Sequence, residues 1–278
     1  MGLELQAMAP SYWQILPCRS SELDVTQPDA VNRLVTRERP TVIIHAAAYT
    51  DVDGAERNAR RAEAVNTLGA ANVARAAVQV QARMILLSTD FVFDGRQGHP
   101  YAPDDPANPL GVYGRSKLAG EREVSAVTRG SALIVRTAWV YSARGRNFVL
   151  TMLRLMREQE EVGVVSDQVG TPTWGKVLAE ALWRAAERPE IRGILHWTDA
   201  GVASWYDFAV AIQEEALALG LLTREVPVRP LRSEDFPRPA KRPAYSVLDK
   251  TTGWAALGGP AGHWRANLRG MLQGVASA

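Results

Sequence analysis

A tyrosine and a lysine four residues apart carry the clearest chemical signal in the sequence. Tyr113 and Lys117 stand in the stretch YGRSK and would lie one turn apart on one face of a helix. A free phenol loses its proton at about pH 10, so it exchanges protons poorly at neutral pH unless a nearby cation stabilises the phenolate. The ammonium of Lys117 would provide that cation. An ordinary surface pair of side chains remains the alternative.

A hydroxyl side chain ends the buried run that precedes this pair. Thr89 follows MILLS, and Asp90 adds a carboxylate directly after it. Ligands of open α/β sheets collect beyond the carboxyl ends of the strands, so Thr89 could hold a carbonyl oxygen against the phenol of Tyr113. Together with Lys117, these side chains would suit the reduction of a ketone by hydride.

Apolar runs alternate with helical patterns through the first two thirds of the chain. Strands that are apolar throughout and separated by helices indicate a parallel sheet covered on both faces. The sequence therefore predicts a doubly wound, Rossmann-like α/β fold. The predicted strands are Tyr12–Pro17, Thr41–Ala48, Met84–Ser88 and Ala132–Val140, and the predicted helical segments are Gln27–Glu38, Asp53–Val80 and Ser116–Val127.

The pattern changes after about Tyr141. Three further helices are predicted at Phe148–Glu158, Gly175–Glu187 and Tyr206–Leu219, joined by loops rich in proline and tryptophan. Such proline density is incompatible with helix interiors and central strands. We therefore expect a smaller C-terminal lobe whose ordered loops lie over a site.

Composition excludes several classes of protein. Lysine plus arginine number 32 against 30 for aspartate plus glutamate, which gives no basic surface of the kind that nucleic acid requires. Cys18 stands alone, which excludes an internal disulfide framework and argues against a metal cluster. No apolar stretch approaches the ~20 residues of a membrane helix, and no export signal is present. We expect a cytoplasmic protein with no metal and with no nucleic-acid or membrane partner.

Several motifs, taken in order, resemble the dTDP-4-dehydrorhamnose reductase family of extended short-chain dehydrogenases/reductases. The resemblance runs from Gly2 to about Leu272, and the order and spacing of the motifs are more specific than any one of them. The matching stretches are HAAAYTDVDGAE (45–56), STDFVFDG (88–95), YGRSKLAGE (113–121), RTAWVY (136–141), NF (147–148), DQVGTPT (167–173), SWYDFA (204–209) and RPAKRPAYSVLD (238–249).

The resemblance implies NADPH-dependent reduction of the 4-keto group of dTDP-4-dehydro-β-L-rhamnose. A cofactor domain is expected over residues 1–146. A substrate-binding lobe is expected over residues 147–278, with some segments returning to the first domain. NADP(H) is the implied cofactor, and NAD(H) is left open. The resemblance makes Thr89, Tyr113 and Lys117 catalytic, places the cofactor beside Gly2, Asp24, Val25, Ala46, Ala47, Ala48, Tyr113 and Lys117, and places the nucleotide sugar beside Asp90, Trp139, Asn147 and Arg242.

One further residue bears on the choice between NADPH and NADH. Arg19 follows the segment that normally presents the adenosine ribose, where an arginine accommodates a 2′-phosphate, so it favours NADPH. Two of the substrate residues also have simpler explanations. Trp139 could be packed in a core, and Arg242 could be a solvated charge.

One residue of the matching stretches departs from the family. Phe91 stands where the family commonly has tyrosine.

The beginning of the chain departs from the family. Relatives start with a strand and a glycine-rich loop, and Gly2–Gln6 resembles the segment that begins at the third glycine of that loop. We therefore expect the cofactor domain to be incomplete at its N-terminus, with Met1 an internal methionine or a truncation point. The missing glycines would normally let the backbone approach a pyrophosphate, so cofactor affinity is expected to suffer.

Two other functions stay open from the sequence. One is a non-catalytic binding or regulatory subunit with the same fold, which the presence of Thr89, Tyr113 and Lys117 opposes. The other is a reductase or epimerase of a different nucleotide sugar, because a few hydrogen bonds of unknown geometry decide which sugar is accepted. Assembly into a homodimer is also left open.

Overall fold

Four parallel strands form the main sheet, in the order β1-β2-β3-β8. The computed structural model describes residues 1–277, so residue 278 of the predicted lobe lies outside the described part. Three two-stranded pairings, β4 with β7, β5 with β10 and β6 with β9, lie outside this sheet. The ten strands are β1 (Val42–His45), β2 (Arg83–Thr89), β3 (Leu133–Thr137), β4 (Val140–Tyr141), β5 (Val162–Val165), β6 (Val169–Gly170), β7 (Thr173–Trp174), β8 (Gly193–His196), β9 (Ala203–Ser204) and β10 (Val228–Leu231).

Helices account for most of the remaining ordered chain. A π-helix (Ala64–Gly69) lies between α4 and α5, and two short 3-10 turns occur at Asp90–Val92 and Ser233–Asp235. The α-helices are α1 (Gly2–Ala7), α2 (Pro28–Glu38), α3 (Val52–Arg57), α4 (Ala59–Glu63), α5 (Ala70–Gln79), α6 (Val112–Val127), α7 (Phe148–Glu158), α8 (Gly175–Ala186), α9 (Trp205–Ala218), α10 (Thr251–Ala256) and α11 (Trp264–Ala276).

The burial of both faces of β2 explains why this segment of the sequence is apolar without interruption. Met84 and Leu86 pack into a core with α2 and α5 on one face of the sheet. Ile85 and Leu87 point the other way, into a core with α1 and α8. Successive side chains of a strand alternate between faces, and both faces are covered here. The prediction of a doubly wound α/β fold is therefore confirmed.

The predicted strand Tyr12–Pro17 is wrong. This segment carries no strand and pairs with none, and Tyr12 and Leu16 are exposed. A β-strand is stabilised by a neighbour that accepts and donates its backbone hydrogen bonds. β1 stands at the edge of the four-stranded sheet and pairs only with β2, so the segment makes no ladder hydrogen bonds there and stays irregular.

Two other strand predictions are too long. The strand predicted for Thr41–Ala48 ends at His45, and Ala46–Ala48 continue beyond the sheet. The strand predicted for Ala132–Val140 ends at Thr137, because Trp139 adopts a left-handed backbone conformation with φ 47°. Left-handed geometry cannot continue a β-ladder, so β4 leaves in a new direction.

A third core holds the C-terminal half together. Residues from α7, α9 and α11 pack there, with Val149, Phe208 and Leu268 fully buried at its centre. Ser204 caps α9 by accepting a hydrogen bond from Asp207 N, and the Asp207 carboxylate accepts one in return from Ser204 N. Within residues 1–277, none of the helices combines the length and the apolar character needed to cross a membrane.

Candidate active site

The end of β2 and the start of α6 bring Thr89 and Tyr113 together. Thr89 is the last residue of β2, and its hydroxyl accepts a hydrogen bond from Phe91 N at 3.2 Å. Tyr113 lies in the first turn of α6, and its ring meets the ring of Phe91 edge-on at 5.7 Å. The side chain of Thr89 also lies near enough to the Tyr113 phenol to lower its pKa. The two hydroxyls thus meet beyond the carboxyl end of a central strand.

The phenol of Tyr113 is held in its protonated form. Burial raises the pKa of Tyr113 to about 12, the nearby Thr89 side chain acts in the opposite direction, and the nearby Asp90 carboxylate raises the pKa further. The sequence had suggested that Lys117 would bring the phenolate within reach of neutral pH. Lys117 is not among the groups that shift the pKa of Tyr113 in the structure, and desolvation raises that pKa because burial disfavours the charged form. The group is therefore suited to donating a proton.

Lys117 is buried one turn further along α6 than Tyr113. Its side chain is 4% exposed, and Nζ donates a hydrogen bond to Leu87 O at 2.6 Å. Burial lowers the pKa of Lys117 to about 8, and the carboxylate of Glu121, one turn further along α6, opposes that shift. An ammonium group has three donors. Leu87 O is the one acceptor found for it in the described chain, so two N–H bonds remain for a ligand.

A glycine lets α6 approach the end of β2. A Cβ added to Gly114 would lie 2.2 Å from Phe91 O, closer than real Cβ atoms come to any oxygen. The contact fixes the helix that carries Tyr113 against the turn that follows Thr89. Any larger residue at position 114 would push the two hydroxyls apart.

A buried asparagine, which sequence reasoning missed, also positions α6. Asn66 in the π-helix accepts a hydrogen bond from Tyr49 N at 2.7 Å and donates one to Ser116 Oγ at 2.9 Å. Ser116 Oγ in turn donates to Tyr113 O at 2.8 Å. The network ties the loop after β1 to the catalytic turn. A polar residue in an otherwise apolar helical pattern was the available signal.

Asp90 and Trp139 lie at adjoining strand ends. Asp90 is buried, accepts a hydrogen bond from Thr89 Oγ1 at 3.1 Å, and has its pKa raised by burial to about 6. Thr89 pairs with Thr137, so Trp139 stands two residues beyond the same edge of the sheet. The Trp139 indole stacks on Trp205 at 3.5 Å between ring centroids, with an interplanar angle of 5°.

A second glycine makes room for Trp139. A Cβ added to Gly170 would come within 2.6 Å of the Trp139 ring. Only a residue without a side chain at position 170 leaves room for the indole, which stacks on Trp205 with one face. Trp139 has a positive φ, which residues other than glycine rarely adopt. Residues with this conformation cluster at functional sites.

Two further predicted substrate residues have partners within the chain. Asn147 caps α7 by accepting a hydrogen bond from Leu150 N at 3.2 Å, and its amide donates to Ser142 O at 2.7 Å. Arg242 pairs with Asp53 at 3.0 Å. Asn147 therefore stabilises the start of α7, whereas part of the Arg242 guanidinium remains exposed to a cavity.

That cavity, of about 360 Å³, lies between the start of α6 and the proline-rich loop, residues 225–245 (EVPVRPLRSEDFPRPAKRPAY). Leu110, which borders it, stands just ahead of α6 and Tyr113. The loop contributes three cationic side chains, Arg238, Lys241 and Arg242, against the carboxylate of Glu234. An excess of positive charge beside an aromatic ring, Phe236, suits an aromatic ligand that carries phosphate.

Several predicted cofactor residues follow β1 or precede it in the chain. Ala46 and Met1, the residue before Gly2, both pack against the core that lies under α1 and α8. Val25 contacts the π-helix at Gly69, where an added Cβ would lie 2.7 Å from Val25 Cγ2.

The last two predicted cofactor residues have local partners. The Asp24 carboxylate accepts hydrogen bonds from Thr26 N at 3.0 Å and from Thr26 Oγ1 at 2.8 Å. Arg19 is exposed in an irregular segment, and its backbone N–H donates to Glu22 Oε2 at 2.7 Å.

Known proteins match this chain along almost all of its length. A family model described as "RmlD substrate binding domain" matches residues 1–277. A dTDP-4-dehydrorhamnose reductase of Mycobacterium tuberculosis is 44% identical over 285 aligned residues, which cover 100% of this chain and 91% of that protein.

Two solved structures give the same result. The crystal structure of a dTDP-4-dehydrorhamnose reductase from Clostridium acetobutylicum superposes with a TM-score of 0.91 at 38% identity, covering 98% of this chain and 94% of that one. That of the Bacillus anthracis enzyme in complex with NADP gives 0.92 at 35% identity, covering 98% and 95%. The chain therefore belongs to the dTDP-4-dehydrorhamnose reductase family.

Proposed function

We propose that the chain reduces the 4-keto group of dTDP-4-dehydro-β-L-rhamnose to give dTDP-L-rhamnose, with NADPH as reductant. The observation that carries the proposal is the meeting of Thr89 and Tyr113 at the carboxyl end of β2, with Lys117 buried one turn further along α6 and bonded to Leu87 O of the same strand. The cationic cavity beside Leu110 adds a place for a nucleotide diphosphate next to these groups. The relatives named above support the choice of sugar nucleotide.

Each of the three side chains has one role in this reaction. The Thr89 hydroxyl, which donates to Asp90 in the structure, would donate instead to the substrate carbonyl oxygen and fix it against Tyr113. As the carbonyl carbon is reduced, its oxygen becomes an alkoxide, and the Tyr113 hydroxyl gives it a proton. The Lys117 ammonium stabilises the negative charge that Tyr113 acquires.

The residues at the sheet edge fit a nicotinamide cofactor, which supplies the hydride when bound. Two N–H donors of Lys117 remain for a ribose, because Leu87 O takes the third. The small side chains Ala46–Ala48 let a flat ring lie against the backbone after β1. NADP is bound in the Bacillus anthracis relative, and the exposed guanidinium of Arg19 suits its 2′-phosphate. NAD(H) stays a weaker alternative.

The remaining parts of the proposal concern organisation. We place the cofactor in residues 1–146 and the nucleotide sugar mainly in residues 147–278. Trp139, held flat by Trp205, would cover one face of the sugar ring, and Asp90 would lie near its hydroxyl groups. A cytoplasmic location belongs to the same proposal, whereas assembly into a homodimer is left open.

Consumption of NADPH in the presence of dTDP-4-dehydro-β-L-rhamnose tests this function. The expected result is loss of NADPH absorbance that depends on the sugar nucleotide, with dTDP-L-rhamnose as product. Parallel reactions with UDP-linked 4-keto sugars separate the proposed substrate from other nucleotide sugars. Turnover of a UDP sugar alone would refute the assignment of the substrate, and no turnover of any of them would refute the reductase.

The pH dependence of kcat/KM reports the ammonium of Lys117. Burial lowers the pKa of this group to about 8, so the ammonium is present below that pH and is lost as the pH rises through it. We expect kcat/KM to hold steady near neutrality and to fall about tenfold per pH unit above about pH 8.

Neighbouring groups titrate outside the range above about pH 8, since the pKa of Asp90 is raised only to about 6 and its ionisation is complete before Lys117 begins to lose its proton. The pKa of Tyr113 is about 12, and burial lowers the pKa of His45, which faces Lys117 from β1, to about 3. A pH profile of kcat/KM from about pH 6 to about pH 10 makes the measurement. A profile that stays level up to about pH 10 would show that Lys117 is not required as a cation.

A further inference from the structure

Asp53, in the motif DVDGAE, binds three groups of the proline-rich loop at once. Its carboxylate accepts hydrogen bonds from Arg238 at 2.6 and 2.9 Å. It also accepts them from Arg242 at 3.0 and 3.1 Å and from Ala240 N at 3.2 Å. More than 180 positions separate Asp53 from these partners in sequence. Neither the mechanism above nor the pattern of the sequence gives Asp53 a role.

The partners of Asp53 border the cationic cavity. Arg238, Ala240 and Arg242 all line it, and Leu110 closes it on the side of α6. The side chain of Asp53 is 10% exposed, and that of Arg242 is 21% exposed. The carboxylate therefore stands behind the guanidinium groups and leaves part of their surface open to the cavity.

The same short helix also holds the catalytic turn. Glu56, three residues after Asp53 in α3, accepts a hydrogen bond from Val112 N at 2.7 Å. Val112 is the first residue of α6 and precedes Tyr113. Since α3 contacts both the loop and the start of α6, it sets the distance between the cavity and the Tyr113 hydroxyl.

The charges at this junction are unequal. One carboxylate faces two guanidinium groups, so a net positive charge remains for a ligand. Burial alone would raise the pKa of Asp53. The hydrogen bonds from Arg242, Ala240 N and Arg238 outweigh burial and hold the pKa well below its usual range. The carboxylate is therefore ionised, and the contact intact, throughout the neutral range.

We propose that Asp53 is a positioning residue that holds Arg238 and Arg242 at the edge of the cavity, where their guanidinium groups bind the diphosphate of the nucleotide sugar. A planar guanidinium fork binds phosphate oxygens well only when its orientation is fixed. This inference rests on the proposed function, because it takes the diphosphate from that substrate.

Binding of dTDP, followed by isothermal titration calorimetry, tests the role of Asp53. The variant Asp53→Asn removes a negative charge beside a cationic cavity, so charge alone would make dTDP bind more tightly. A positioning role predicts the reverse, and we expect the Kd of dTDP to rise about tenfold. In turnover, KM for the nucleotide sugar should rise by a similar factor, with a much smaller change in kcat.

A matched variant separates position from charge. Asp235→Asn removes the same charge from an exposed residue of the same loop, whose nearest partner is Arg232 at 3.6 Å. This variant should bind dTDP as the wild type does. Equal or tighter binding of dTDP by Asp53→Asn would overturn the proposal.

Two further variants keep the test decisive if Asp53→Asn does not fold. Arg238→Lys keeps the charge and loses the fork, so its Kd for dTDP should also rise. The double variant Asp53→Asn/Arg238→Lys should bind dTDP with a Kd only slightly higher than that of the weaker-binding single variant, because both changes act through one contact. An unchanged Kd in Arg238→Lys would contradict the proposal. A wild type that binds no dTDP would refute the proposed function as well, whereas normal wild-type binding with unaffected variants would refute the role of Asp53 alone.

Discussion

Replacing Tyr113 with phenylalanine is expected to lower kcat/KM by about 10²- to 10⁴-fold, the contribution of a positioned general acid. The change removes the hydroxyl and leaves the ring, which keeps its edge contact with Phe91 at 5.7 Å. Burial raises the pKa of Tyr113 to about 12, so the wild-type hydroxyl is protonated throughout the neutral range and ready to donate. Steady-state rates of NADPH consumption make the measurement.

The control for this change is a hydroxyl removed far from the site. Tyr12 is 75% exposed, and its hydroxyl bonds to Glu187 on the surface. Tyr12→Phe should therefore leave kcat/KM within about twofold of the wild type, since surface substitutions usually have small effects. If Tyr113→Phe kept a third or more of the activity, the proton would have to come from another group, and the mechanism would be wrong.

Loss of the Glu121 carboxylate is expected to destabilise the fold by about 3 to 5 kcal/mol. Glu121 in α6 and Arg136 in β3 form an ion pair at 2.7 Å, and both side chains are 3% exposed. Ser88 also donates a hydrogen bond to Glu121, and the guanidinium of Arg136 lies 5.1 Å above the Phe93 ring. Glu121→Gln keeps the shape and leaves the charge of Arg136 buried without a partner.

Urea denaturation of paired variants measures this effect. Glu158→Gln removes the same charge from an exposed pair, in which Arg154 lies at 2.8 Å, and should cost less than about 0.5 kcal/mol. The double variant Glu121→Leu/Arg136→Met should recover much of the loss, because replacing both partners removes the unpaired charge. Equal losses in Glu121→Gln and Glu158→Gln would contradict this account of the pair.

Local pattern in the sequence was sufficient for the elements that depend on local physics. The helix predicted at Phe148–Glu158 has those bounds in the structure, because Asn147 caps its first turn. The uninterrupted apolar run of β2 predicted a strand covered on both faces. The spacing of Tyr113 and Lys117 placed them on one helix, although α6 begins one turn earlier than expected, at Val112.

The sequence could not predict features that depend on contacts between distant parts of the chain. The segment Tyr12–Pro17 has the composition of a strand, but only the sheet order reveals that nothing pairs with it. The pairing of Asp53 with Arg242 joins residues that no periodicity connects. The raised pKa of Tyr113 depends on burial, which the sequence does not report. The roles assigned to the other site residues remain predictions.

Transfer of deuterium tests the central claim most directly. The protein would be incubated with dTDP-4-dehydro-β-L-rhamnose and NADPH that carries deuterium at the reactive position of the nicotinamide, and the product examined by NMR. We predict dTDP-L-rhamnose with one deuterium at the sugar carbon that bore the keto group, formed far more slowly by Tyr113→Phe. Product without deuterium at that carbon, or no product from the wild type, would contradict the account.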